Sequence, residues 1–153
     1  MKDLENELSI FIQKNYIRNP EVTFKKFVMD RIEFLLKKDF KKESEIYQRG
    51  NIDRKVYYNL KHGDDYYRPV KTMALAYCIA LGLSVTDAEK LLYAGGYHFE
   101  ESSLTDQVVK FCLKNRIYSA DAVNSYILHC ATVFNIDKAE YIGSHAKEWS
   151  VDL

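Results

Sequence analysis

Six polar side chains within a nine-residue stretch carry the densest chemistry of this chain. On a helical wheel, Arg54, Lys55, Tyr58, Asn59, Lys61 and His62 fall on one side, and Val56, Tyr57 and Leu60 on the other. Guanidinium, ammonium and carboxamide groups set side by side are donors in search of acceptors. Arg or Lys can donate to guanine O6 and N7, and Asn can pair with adenine N6 and N7. The alternative for the same row is a solvated helix face.

Other constellations point away from catalysis. His62, His98, His129 and His145 share no i, i+4 spacing on a helix, so no metal pair is expected. Cys78, Cys112 and Cys130 form no CxxC pattern and lie in apolar stretches, so buried, reduced thiols are expected. Asp64-Asp65 reads as a turn and cap. Gly95-Gly96 follows a helix and lacks the residues of a phosphate loop, so it reads as a helix end. The pairs Tyr57-Tyr58 and Tyr66-Tyr67 have the chemistry to stack on single-stranded bases, with core and rim packing as the alternative. No Ser/His/Asp or Cys/His set has a supporting motif. The expectation is a protein that is not an enzyme and has neither metal nor cofactor.

The elements that must position the polar row are helices. Leu4, Leu8, Phe11 and Ile12 mark a first stripe, which Asn19-Pro20 ends. Thr23 is placed to cap a second helix, with Phe24, Phe27, Val28, Ile32, Leu35 and Leu36 on one face. A short helix spans Glu43 to Arg49. Gly50-Asn51 suits a turn with a left-handed residue, Asp53 is placed to cap the helix Arg54 to His62, and Gly63 closes it. After the loop Asp64 to Pro69, Thr72 is placed to cap a nearly apolar helix, Met73 to Leu81, expected at the centre of the core. Thr86 to Glu89 fits a capping box for the next helix. Ser103 or Thr105 opens a helix containing Val108, Val109, Phe111, Cys112 and Leu113. Another runs from Ala120 to Phe134 with Val123, Tyr126, Ile127 and Cys130 inward. Asp137 to Glu140 caps a last short helix with Tyr141 and Ile142. Only six Gly and two Pro in 153 residues, with 47% hydrophobic residues, fit an ordered all-α protein.

Two short helices joined by a tight turn with Gly form a helix-turn-helix signal, in which the first helix braces the second against the major groove. The segment Ile46 to Gly63 resembles, without a gap, the phage-repressor (Xre-like) helix-turn-helix family. Ile52 ends the turn, Asp53 follows as the cap, and Tyr57, Leu60 and Gly63 complete the pattern. Arg68-Pro69, the helix ending Ala80-Leu81-Gly82-Leu83 and the helix Thr86 to Gly96 look like the family's later helices, so the resemblance covers about residues 24–97. It implies a five-helix domain over 21–99, preceded by a helix in 1–20 and followed by a helical extension in 100–153. It also implies base contacts at Arg54, Lys55 and Asn59, and backbone contacts at Lys41, Lys42, Tyr58, Lys61 and Arg68. Two positions depart from the family. Glu43 stands where a neutral polar residue often meets DNA, and Asp53 replaces an uncharged cap. Both carboxylates would oppose phosphates, and Glu43 has no structural role legible in the sequence. The stretches 46–61 and 104–124 are also similar to small bacterial helix-turn-helix proteins, some joined to macrodomains linked to nucleotide signalling.

Charge frames the choice of partner. The whole chain is neutral, while residues 37–72 carry a local +4 and residues 100–153 a local −3. A basic middle and an acidic tail region suit a regulator that reads double-stranded DNA and forms a homodimer through its C-terminal helices. Neutral overall charge, Glu43 and Asp53 suit the alternative, a protein-interaction adaptor in bacterial stress or phage-defence signalling. A nucleotide-sensing role is implied only by the second resemblance. Met1-Lys2-Asp3-Leu4-Glu5 opens no signal peptide, and no apolar run approaches the roughly 20 residues of a membrane span, so a cytoplasmic protein is expected.

Overall fold

The computed structural model of the protein describes residues 2–16 and 22–149. Among these residues the secondary structure is helical, without strands. It comprises α1 (Lys2–Asn15), α2 (Phe24–Lys38), α3 (Glu43–Arg49), α4 (Arg54–His62), α5 (Lys71–Ala80), α6 (Val85–Ala94), α7 (Leu104–Lys114) and α8 (Ala120–Val133), then a 3-10 turn, Ala146–Trp149. The all-α class expected from apolar periodicity is the class formed. The break assigned to Asn19-Pro20 lies outside the described residues.

Hydroxyl caps start most of the long helices. Thr23 Oγ1 accepts from Lys26 N at 3.0 Å, and Ser103 Oγ accepts from Asp106 N at 3.2 Å, as the sequence suggests. Ser119 does the same for α8, accepting from Ala122 N. Each bond satisfies one amide that the first helical turn leaves without a partner.

Two starts differ from expectation. Ser84, not Thr86, caps α6 by accepting from Asp87 N at 3.1 Å. Gly82 takes a left-handed φ of 61° just upstream, so the chain re-enters helical geometry one residue beyond Ser84. Helix α5 begins at Lys71 after an extended Val70, without a side-chain cap, and Thr72 lies inside it. Lys71 is drawn into the first turn because its ammonium bonds Asp106 at 2.6 Å and Glu100 at 3.1 Å. Burial opposes that charge, but the two carboxylates outweigh it and raise the Lys71 pKa.

Helix α5 is the centre of the core, as its composition indicated. Residues Ala74 to Ala80 are all buried, and α5 packs against α3, α6, α7 and α8. One continuous apolar cluster runs from Phe24 to Ile142 and takes in Val108, Val109, Cys112 and Ile127 from α7 and α8. Burying this much aliphatic and aromatic surface, at roughly 25 cal/mol per Å², is the main force that holds α3 and α4 in place.

The end of the chain departs most from expectation. No helix forms at Asp137 to Ile142. Asn135 and Lys138 take left-handed φ values of 58° and 56°, and Tyr141 and Ile142 are pulled into the core. The buried Asn124 side chain holds Ile142 like a strand partner. Its Nδ2 donates to Ile142 O at 3.1 Å, and its Oδ1 accepts from Ile142 N at 2.9 Å. Tyr126 is not inward: it is exposed and meets Phe111, also exposed, edge to face at 6.5 Å. The inward positions of α8 are Ala120, Val123, Asn124 and Ile127, one turn apart. Cys78 and Cys112 are buried, as expected, while Cys130 is only partly so. No helix among the described residues is long and apolar enough to cross a membrane.

Candidate functional site

Helices α3 and α4 and the turn between them are assembled by steric fit. Gly50 lies so close to α5 that a Cβ would sit 2.7 Å from Ala76 O and 2.8 Å from Ala80 Cβ. The left-handed residue of the turn is Asn51, with φ 52°, whereas Gly50 has φ −90°. Gly50 is thus needed for close approach and Asn51 for the reversal. Ile52 then plugs the core, and Tyr57 and Leu60 bury the inner face of α4.

Glu43 has a clear structural role. Tyr57 Oη donates to its Oε2 at 2.5 Å, and Lys61 Nζ donates to its Oε1 at 2.8 Å. One carboxylate at the start of α3 therefore clamps two successive turns of α4. Tyr47 stacks on Tyr57 at 4.6 Å beneath the clamp. The bonds from Lys61 and Tyr57 hold the Glu43 carboxyl below its usual range, against the opposing effect of burial. Burial, then Glu43, push the Tyr57 phenol well above its ordinary value. Sequence reading missed this because the partners lie 14 and 18 residues away.

The outer face of α4 presents Arg54, Lys55, Tyr58, Asn59 and His62 to solvent. Arg54, Tyr58 and His62 follow one another at one-turn spacing and stack. The Arg54 guanidinium lies 5.2 Å from the Tyr58 ring centre, and the His62 ring lies 5.7 Å away, nearly parallel. This cation–π and ring stack orders three long side chains into a flat ladder. Lys55 and Asn59 flank it without side-chain partners among the described residues. Lys61 lies at the edge, its charge answered by Glu43 and its Nζ 5.7 Å from the Tyr58 ring.

The remaining basic residues are less concentrated. Lys41 and Lys42 are exposed just before α3, beside the Glu43 clamp, and Lys42 N donates to Glu45 Oε1. Arg68 belongs to other surroundings: its guanidinium lies against Gly96, at the end of α6. The structure thus gathers Arg54, Lys55, Tyr58, Asn59 and Lys61 on α4, puts Lys41 and Lys42 at the mouth of α3, and holds Arg68 elsewhere.

Asp53 does not cap α4 with its side chain. Its carboxylate turns instead to His145, with Oδ1 2.9 Å from Nε2. Residues 143–149 cross the α3–α4 turn as a strap. A Cβ at Gly143, which has φ 88°, would come within 2.9 Å of Gly50 O and Asn51 Cβ. Ser144 N donates to Asn51 O at 2.7 Å, and Asp53 N donates to Ser144 Oγ at 3.0 Å. Asn51 Nδ2 donates to Asp121 on α8 at 2.7 Å. The strap closes on itself through His145 and Glu148 at 3.3 Å and through Tyr141 stacked near Trp149. Asp53 on His145, Glu148 on His145 and Asp121 on Asn51 thus put three carboxylates on the strap and the turn just ahead of α4, whose own first turn opens with the exposed cations Arg54 and Lys55. Asp53, and then Glu148, hold the His145 pKa above its usual value.

The described residues contain no group of three or more His, Cys, Asp or Glu side chains placed to hold a metal ion. The arrangement can offer donors and a flat cationic–aromatic surface to a partner. No protein-family model, curated protein or solved structure matches the chain.

Proposed function

We propose that the protein is a helix-turn-helix regulator that binds duplex DNA, with α4 entering the major groove. The observation that carries this reading is the outer face of α4. Arg54, Lys55 and Asn59 are exposed, with Arg54 stacked on Tyr58, on a short helix that Glu43, Tyr57 and the Gly50 turn brace against the core. A rigid helix bearing base-complementary donors is the equipment of groove recognition. Lys41, Lys42 and Tyr58 serve the backbone; Lys61 contributes less because Glu43 already neutralises it, and Arg68 serves at a distance from this face. One α4 reads too few base pairs for useful specificity, so two copies act together. The exposed Phe111 on α7, Tyr126 and Val133 on α8 and Phe134 just after it supply apolar side chains for that pairing. Fluorescence anisotropy on random and selected duplexes across a salt series tests the reading. Binding should weaken steeply with salt. Arg54→Ala should lose sequence preference, and Lys41→Ala should weaken all sequences alike. No binding at low salt would sink this proposal.

A second reading is a protein-interaction module acting as an adaptor. The carboxylates Asp53, Glu148 and Asp121 on the strap and the turn ahead of α4 favour it, because they oppose a phosphate backbone passing there. The Arg54–Tyr58–His62 ladder is also the kind of surface that anchors protein interfaces.

A further inference from the structure

The first helix carries an apolar stripe that nothing in the described structure covers. Leu4, Leu8 and Phe11 are 58–70% exposed, and every described side chain from Asp3 to Tyr16 lies in solvent. The spacing of Leu4, Leu8, Phe11 and Asn15 is the four-three-four of a coiled-coil seam, with Ile12 widening it. A helix of this length, 14 residues, is marginal in water without a packed face. An apolar seam along a helix that short calls for a partner.

The charges on α1 select which partner. Asp3, Glu5 and Glu7 outnumber Lys2 in its first half, and Lys14 stands in its last turn. A parallel pair would place the two acidic halves side by side. An antiparallel pair of identical helices, centred between Leu8 and Phe11, places Leu8 against Phe11 of the other copy. The same register sets Glu7 beside Lys14 of the other copy, twice by symmetry. Asn15 then falls opposite Leu4. Its amide already donates to Phe11 O at 2.8 Å, so it needs no Asn partner across the seam. Anionic lipid fits poorly, because interfacial helices place Lys and Arg, not carboxylates such as Glu5 and Glu7, beside their apolar face.

We infer that α1 is a self-association element that pairs antiparallel with α1 of a second copy, with Glu7 and Lys14 setting the direction. The inference does not rest on DNA binding. Two helices this short bury less than the roughly 1,200 Å² of a stable stand-alone interface. The contact is therefore weak, and acts by adding to any other contact between the same two copies.

Sedimentation equilibrium of the full chain tests it. Leu8→Glu should weaken self-association most. Glu7→Lys and Lys14→Glu should each weaken it roughly threefold to tenfold, and the double variant Glu7→Lys/Lys14→Glu should restore the wild-type value. Far-UV circular dichroism and the melting temperature of each variant report that the rest of the chain stays folded. Phe134→Glu, on the α8 surface, should leave the relative effect of the Glu7 and Lys14 exchanges unchanged. Three results would overturn the pairing. They are no effect of either single charge exchange, a double variant no better than the singles, and a Leu8→Glu variant that lowers the melting temperature without changing mass, which would mean α1 docks on its own chain.

Discussion

Asp53 and His145 meet at 2.9 Å across 92 residues of chain, and their contact fastens the strap over the start of α4. In an ordinary N-cap the Asp53 carboxylate would accept from the amides of its own helix. Here it faces an imidazole, so one residue joins the α3–α4 turn to the segment after α8.

The pair gives one of the strap's attachments a dependence on pH. Asp53 and Glu148 raise the His145 pKa in the folded chain. A raised folded-state value means that the contribution to stability is complete below the unfolded value, about 6.5. It is lost as pH rises through the folded-state value. Proton NMR of the His145 ring should give a midpoint above that of an unfolded reference. Asp53→Asn should move it down, and an unshifted His145 in the wild type would contradict the pairing.

Glu43 should matter for stability before it matters for any ligand. Glu43→Ala removes the charged acceptor of the buried Tyr57 hydroxyl, leaving it only the weak acceptor Met29 Sδ at 3.9 Å, and the partner of Lys61. The expected cost is about 1–3 kcal/mol, most of it from the poorly paired hydroxyl. Because the folded-state pKa of Glu43 is lowered, its contribution is present above the unfolded value and fades as pH falls through the folded one. Urea unfolding at neutral pH and in acid would show the difference between wild type and variant shrinking in acid.

Asn124 is the buried pin of the strap. Asn124→Ala leaves both the N–H and the C=O of Ile142 without partners in the core. A loss of about 2–4 kcal/mol is expected, together with faster amide exchange at Ser144 and a His145 midpoint nearer the unperturbed value. An Asn124→Ala chain with unchanged Ser144 exchange would show that the strap is held elsewhere.

Tyr77 offers the opposite case. Its hydroxyl is the one side-chain polar atom found buried without a partner among the described residues, and burial pushes its phenol pKa upward. Tyr77→Phe keeps the edge contact with Phe24 at 5.5 Å and removes an unpaired dipole. Stability should stay level or rise by up to about 1 kcal/mol. A loss larger than that in chemical denaturation would mean the hydroxyl is satisfied in solution.

Most of the helices from α2 to α8, and most of the residues they turn inward, were legible in the order of residues alone. Val28, Ile32 and Leu35, or Val123 and Ile127, repeat at three- and four-residue intervals, and Thr23 and Ser103 stand one residue ahead of the helices they cap. These are local signals, carried by neighbours on one turn. The polar row of α4 was legible for the same reason. What those polar groups do depends on packing between distant segments. Glu43 finds Tyr57 and Lys61, Lys71 finds Asp106, Asn124 finds Ile142, and Asp53 finds His145. None of these pairs shares a helical turn. Each exists because burial of the apolar faces first sets helix against helix, after which any polar group left inside or at the rim must find a partner or stay costly to keep there. The left-handed backbone at Asn135 and Lys138 then turns the chain after α8 back over the α3–α4 turn instead of into another helix.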